Sequence, residues 1–353
     1  MPSFLFIAFV GIQSVFIDDF HEVSLLPVSI AWLFYFLEKK RWRSYFVALF
    51  LCLSVREHIG FLLSVLATYI YFSSKNIKVA LSTFMVSLLW SFLAIKVFMP
   101  YFGKVDYSSF VTPGDSLFSA SMDYLLNPLS IARNLFYPLV KIKTIVFSFL
   151  SFGLLPLLDL KLLPIIGFQF AYRFLDIQHP IRSTLFYHFS VELAVLMSIS
   201  TISVLEKLTK IVKARRFFFM FGLVIITLNT IINIYLNAPV LTLLKSNFYA
   251  DEPWMKDNKL ILSKIPKDQS VSAQNNLVPH LSHREKIYVL PIVEDAQYIV
   301  FDLHPNQDNW NFYTLSPELA KNKLKELIKS GSYKIAFSSN YSFLLEKMPS
   351  PTD

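Results

Sequence analysis

The chain has 353 residues, of which 54% are hydrophobic and only 16% charged, with 35 phenylalanines, 8 glycines and a formal net charge of +8. That balance excludes a disordered or fibrous chain and points to an α-helical membrane protein. Nucleic acid is not needed to explain the positive charge, because the Lys and Arg residues fall in short clusters beside apolar runs, where membrane orientation accounts for them.

In chain order, apolar runs lie at about 2 to 17, 23 to 37, 44 to 72, 79 to 99, 144 to 158, 162 to 175, 185 to 205 and 217 to 236. Read as spans they predict a polytopic helical protein with about nine spans or half-spans, since several are shorter than the ~20 residues a straight crossing needs. The run 44 to 72 is too long for one crossing at ~1.5 Å per residue and carries Arg56-Glu57-His58 at its middle. A hairpin with those three residues at its tip puts the clusters Lys39-Lys40-Arg41 with Arg43, Lys75 with Lys78, and Lys207 through Arg216 on one side, the cytoplasmic one by the positive-inside rule. Lys141 and Lys143 then lie outside and oppose the scheme.

Segment 100–143 reads as amphipathic stretches at the outer interface, divided at Asn127-Pro128 and Tyr137-Pro138, with Asp106, Asp115 and Asp123 as solvated loop acids. Domain organisation follows: 1–236 in the membrane, and 237–353 as an extracytoplasmic α/β domain of about 100 residues. In the latter, Ser270 to Ala273, Lys286 to Leu290 and Tyr298 to Phe301 have strand character, and Tyr333 to Glu346 reads as a hairpin. Ser316-Pro317-Glu318 opens a helix whose stripe Leu319, Ala320, Leu324, Leu327 and Ile328 ends before Gly331. The lone Cys52 can form no internal disulfide and reads as packing.

Under this topology the histidines gather at one face, most of them beside acidic or basic residues, and the cost of such groups at bilayer depth suggests a shared polar site. Asp19, His21 and Glu22 could supply a general base or metal ligands, so a divalent metal is possible, while the bland reading is a helix cap. Arg56, with Glu57 and His58, suits a phosphate, although a solvated hairpin tip would have the same composition. His179, Arg182, Tyr187 and His188 could line an anion or sugar site or simply form an interfacial loop. His280 and His283 have a helical metal-pair spacing but no further ligands nearby in sequence. No phosphate loop, nucleophile elbow, CxxC pair or dinucleotide fingerprint occurs.

Asp19-Phe20-His21-Glu22, Arg56-Glu57-His58-Ile59-Gly60, Leu154-Leu155-Pro156-Leu157-Leu158, Tyr187-His188-Phe189 and Val278-Pro279-His280-Leu281-Ser282-His283-Arg284 with Ile287-Tyr288 together resemble an uncharacterised family of predicted bacterial and archaeal membrane proteins. That family is similar to the GT-C superfamily, whose multi-spanning glycosyltransferases use lipid-phosphate-linked sugars at the outer face. The resemblance implies a GT-C-like protein of the inner (plasma) membrane that transfers a sugar from a polyprenyl phosphate to an envelope or lipid acceptor. Asp19 or Glu22 would position the acceptor or a metal, Arg56 and His58 would contact the donor phosphate, and His179, Arg182 and His188 would complete the cavity. Members usually begin with further spans and an acidic first outer loop, so the resemblance also implies an N-terminally truncated or degenerate copy. Glu22 stands where a proline would follow the histidine, and Arg56 where lysine is more usual. A non-enzymatic protein that binds an envelope lipid or a protein partner through its outer domain is the alternative.

Overall fold

The computed structural model describes residues 2–16, 20–102, 126–176, 179–212 and 214–349. Asp19 and the loop acids Asp106, Asp115 and Asp123 lie outside the described residues. The chain forms two compact units, Met1–Lys245 and Ser246–Asp353. The first extends past Leu236 because Ala238 donates its N–H to the Asn233 carbonyl, and Val240 donates its own to Gln13 Oε1.

The first unit is helical. Short helices α1 (Pro2–Ala8) and α2 (Val10–Gln13) are followed by α3 (Leu26–Glu38), α4 (Trp42–Leu53), α5 (Ile59–Ser74) and α6 (Ile77–Leu93), the last continued by a π-helical stretch at Ala94–Phe98 and a turn at Met99–Phe102. Then come α7 (Pro128–Phe136), α8 (Leu139–Ser151), α9 (Leu163–Phe174), α10 (Val191–Ile211) and α11 (Arg215–Tyr235). Pro128 stands at the start of α7 and Pro138 divides α7 from α8, where the sequence pattern puts breaks.

Three helical stretches among the described residues are long and apolar enough to cross a membrane: Ile77–Phe102, Pro180–Ile211 and Arg216–Tyr235. The middle one is 72% buried, against 22% and 28% for the others, so it forms the bundle's axis while they turn apolar faces such as Phe84, Leu89, Phe219 and Val224 outward. Of the expected spans or half-spans, the other apolar helices among the described residues are shorter than a full crossing. At 13 and 12 residues, α3 and α4 are only ~20 Å long, well short of a ~30 Å hydrocarbon core.

The run 44 to 72 folds back on itself. Tyr45 Oη hydrogen-bonds Thr83 Oγ1 at 2.8 Å and the Trp90 indole donates to the Leu53 carbonyl at 2.7 Å, so α4 runs parallel to α6. Since α5 and α6 are joined by a two-residue turn at Lys75-Asn76 and are packed together with Gly60 against Ser87 and Ser91, α5 is antiparallel to both. The reversal falls at residues 54–58. At the opposite end, Tyr69 Oη donates to Glu38 Oε1, which brings the Lys39 to Arg43 turn beside the Lys75 to Lys78 turn. Helix α10 starts at the polar end and is ~31 Å long, so Lys207 and Lys210 fall ~23 and ~27 Å along its axis from Glu192, toward the opposite end. The unit therefore has a basic pole and a mixed polar pole.

In the second unit, β1 (Val271–Ala273), β2 (Ile287–Val289), β3 (Tyr298–Asp302), β4 (Tyr333–Ser339) and β5 (Ser342–Lys347) form one sheet in the order β2-β1-β3-β5-β4. The β1 pairings with β2 and β3 are parallel, those of β5 with β3 and β4 antiparallel. Alternation along β3 builds two cores: Val300 packs with Ile261 of α12 (Pro253–Ser263), while Ile299 and Phe301 pack with Leu324 and Leu327 of α13 (Pro317–Lys329). Ser316 caps α13 by accepting from the Leu319 N–H.

Candidate functional site

The polar pole is assembled by the turns that precede α3, α5 and α10 and by the end of α9. Ser91 Oγ donates to the Glu57 carbonyl at 2.6 Å, which ties the 54–58 turn to α6 and fixes where its charged side chains emerge. Arg56 Nε is 2.6 Å from Glu22 Oε1, with both side chains about a third to a half exposed. This pair marks the mouth of the site.

Deeper in, the His58 ring stacks on Tyr172 at 5.0 Å and 13°. Its Nδ1 lies 3.7 Å from Glu57 Oε1 and its Nε2 3.7 Å from Glu192 Oε1. Those separations are too long for hydrogen bonds but leave one imidazole between two carboxylates, an arrangement able to relay a proton. Glu192 is 4% exposed; it sits in the first turn of α10, where the helix dipole favours an anion, and its Oε2 accepts from Gln169 Nε2 at 3.1 Å.

Next to Tyr172, Asp176 accepts from Arg182 Nη1 at 2.6 Å and from the His179 backbone N–H at 3.2 Å, with His179 Nδ1 3.1 Å from both carboxylate oxygens. Arg182 also donates to Tyr172 Oη, and its guanidinium lies 5.0 Å from the Tyr172 ring centroid and 5.7 Å from that of Phe189. Two further cations are structural. Arg173 is 1% exposed and donates from Nε and Nη2 to the carbonyls of Arg182 and Thr184. Lys141 Nζ donates to the carbonyls of Asn134 and Phe174, both at 2.7 Å. Lys141, which counts against the orientation scheme as a surface charge, is thus buried as a strut that holds α7, α8 and α9 together, and its position follows from these bonds.

His21 and His188 meet ring to ring at 3.7 Å, and His188 lies 4.3 Å from Phe189. Tyr187, at φ 62°, turns the chain into this contact and stands 6.4 Å from Phe189. The structure thus brings His21, Glu22, Arg56, Glu57, His58, His179, Arg182, Tyr187 and His188 into one contiguous region, whereas Asp19 falls outside the described residues. Among the described residues no three His, Cys, Asp or Glu side chains are grouped so as to hold a metal ion. His280 and His283 are exposed while Leu281 between them and Leu277 before them pack into the core, so that pair is a surface feature.

Sequence reasoning missed Tyr172, Gln169, Asp176 and Glu192, which complete the network. The signal was present: Glu192 is a lone acid at the head of a long apolar helix, and Gln169-Phe170-Ala171-Tyr172-Arg173 puts polar groups inside an apolar run. Isolated polar groups at such depth need partners, and here each found one.

A model of the family described as predicted membrane protein (DUF2079) matches residues 2–342, and the chain belongs to that family. No curated protein and no solved structure matches it.

Proposed function

We propose, on the premise of that membership, that the chain is a GT-C-like membrane glycosyltransferase that moves a sugar from a polyprenyl phosphate to an envelope or lipid acceptor at the polar pole. The supporting observation is the pairing of two arginines of the pole with carboxylates, Arg56 with Glu22 at the mouth and Arg182 with Asp176 deeper in, around His58 and its two acids. A planar guanidinium held by a neighbouring acid is oriented for bidentate contact with a phosphate. In the reaction the acceptor hydroxyl oxygen forms the new bond to the sugar's anomeric carbon, and the bond from that carbon to the donor phosphate oxygen breaks. The leaving phosphate carries the electron pair, which Arg56 and Arg182 stabilise, while the hydroxyl proton passes to Glu22 at the mouth. The positive-inside rule puts the basic pole in the cytoplasm, and with it the polar pole, and the C-terminal unit, outside the inner membrane.

The test is binding of undecaprenyl phosphate to the full chain in nanodiscs. Arg56→Lys keeps the charge but loses the fork, and the loss of one charge-assisted bond, ~1.5 to 3 kcal/mol, weakens binding roughly 10 to 150-fold. Lys78→Ala at the basic pole should leave it unchanged. Equal affinity of wild type and Arg56→Lys rejects Arg56 as the phosphate ligand, and binding without transfer from any lipid-linked sugar supports the non-enzymatic lipid-binding alternative.

A further inference from the structure

The C-terminal unit contains a second polar constellation, independent of the pole. Strands β1 and β3 are neighbours and parallel, yet the segments that follow them leave to opposite faces of the sheet: Leu277 and Leu281 after β1 pack on the Val300 side, and α13 after β3 packs on the Ile299 and Phe301 side. A crevice outside the carboxyl ends of parallel strands where connections diverge is the usual ligand position in open α/β sheets. Asp302 closes β3 at that point and is fully buried.

Asp302 spends both carboxylate oxygens on positioning. Its Oδ1 lies 2.6 Å from His304 Nδ1 and accepts the His304 backbone N–H at 3.3 Å, and its Oδ2 accepts from Asn258 at 2.7 Å and Asn276 at 3.1 Å. The His304 ring stacks flat on Trp254 at 4.5 Å and 3°. Residues from α12, from the segment after β1 and from β3 thus fix one imidazole with Nδ1 engaged, which leaves Nε2 as the nitrogen available to a ligand. Such an over-determined ring is more than a loop staple needs.

His304 lines a cleft of about 520 Å³, within the ~300–1,000 Å³ range of small-molecule sites, together with Lys321, Lys325, Tyr341, Phe312 and Phe343. Lys321 and Lys325 are one turn apart on α13 and share a face. Among the described residues neither is in an ion pair, and no lining residue is acidic. The cleft therefore joins two cationic donors and an oriented imidazole to an aromatic wall.

We propose that this cleft binds a sugar-phosphate-sized anion, with the phosphate between Lys321 and Lys325, a ligand hydroxyl on His304 Nε2, and the ring against Tyr341 and Phe343. The test is calorimetric titration of the detergent-solubilised full chain with glucose 1-phosphate, glucose and inorganic phosphate. Saturable binding of glucose 1-phosphate, weakened at least ~10-fold in Lys321→Ala/Lys325→Ala and in His304→Gln, is the expected result. Both lysines are exposed, so the double variant keeps the fold, and Arg56→Lys in the other unit leaves this binding unchanged, which separates it from the reading of the polar pole. No saturable binding to wild type, or unchanged affinity in the double-lysine variant, overturns the site; inorganic phosphate binding as tightly as glucose 1-phosphate overturns the sugar subsite.

Discussion

Asp176 and Arg182 approach to 2.6 Å with side chains 4% and 17% exposed, and Glu206 and Lys210 approach to 2.7 Å with side chains 67% and 72% exposed. The separations are alike, so any difference in strength comes from burial. In water-like surroundings two unit charges at ~4 Å attract by about 1 kcal/mol, and at the effective dielectric of a protein boundary by about 4 kcal/mol. Removal of one buried partner also strands the other's charge: Asp176→Ala leaves the Arg182 guanidinium with Tyr172 Oη but no counter-charge and the His179 backbone N–H without the Asp176 carboxylate, at a cost of ~3 to 5 kcal/mol. A double-mutant cycle over Asp176→Ala and Arg182→Ala should give a coupling of ~2 to 3 kcal/mol, and the same cycle over Glu206 and Lys210 below ~0.5 kcal/mol. The measurement is reversible unfolding of the full chain by dodecyl sulfate in mixed micelles, followed by near-ultraviolet circular dichroism. A coupling at Asp176–Arg182 no larger than at the exposed pair would refute the buried network at the pole.

Gly60→Ala would bring a Cβ onto Ser91 Oγ and the Ser87 carbonyl, so it should cost ~1 to 3 kcal/mol, whereas Gly167→Ala, with open space around it, should gain up to ~1 kcal/mol from helix propensity. Equal effects of the two on unfolding in micelles would contradict the close α5–α6 contact. In the C-terminal unit, donors from Ser339 and Asn340 hold the Asp257 carboxyl below its ordinary range. Because the folded value is depressed, the stabilisation is present above the unfolded carboxylate range near pH 4 and disappears as the pH falls through the folded value. Asp257→Asn should thus lower the melting temperature at pH 7 and cease to differ from wild type at strongly acid pH; a gap independent of pH would show that the carboxylate charge is not involved.

The C-terminal unit was largely legible because its signals are local: β-branched alternation marks β1 to β3, and the Ser316-Pro317-Glu318 start with its stripe marks α13. Helix α12 escaped notice, since Pro253–Ser263 is mostly polar and only Ile261 and Asn258 are buried. Within the membrane unit the reversal at Arg56 to His58 could be read from the length of the run and the charges at its middle. The number of crossings could not, because an apolar composition does not distinguish a full span from α3 or α4, which are short and bury one side, at Leu33 and Leu49, while Trp32, Val47 and Phe50 stay exposed. His21, Glu22, Arg56 to His58, His179, Arg182 and His188 were visible as charges and imidazoles out of place in an apolar chain. Their partners Glu192, Asp176 and Tyr172 were not, since which acid meets which base is decided by helix packing between residues far apart in sequence.

The central claim is that the polar pole is the place where a lipid phosphate binds. A photoreactive polyprenyl phosphate, with its diazirine beside the phosphate, cross-linked to the full chain in nanodiscs and mapped by mass spectrometry, tests it directly. The account predicts labels on the peptides around Glu22, Arg56 to His58 and Tyr172 to His188, suppressed by unlabelled undecaprenyl phosphate. Labels confined to the groove between α3 and α4, at Trp32, Phe36 and Arg43 beside the basic pole, would contradict it.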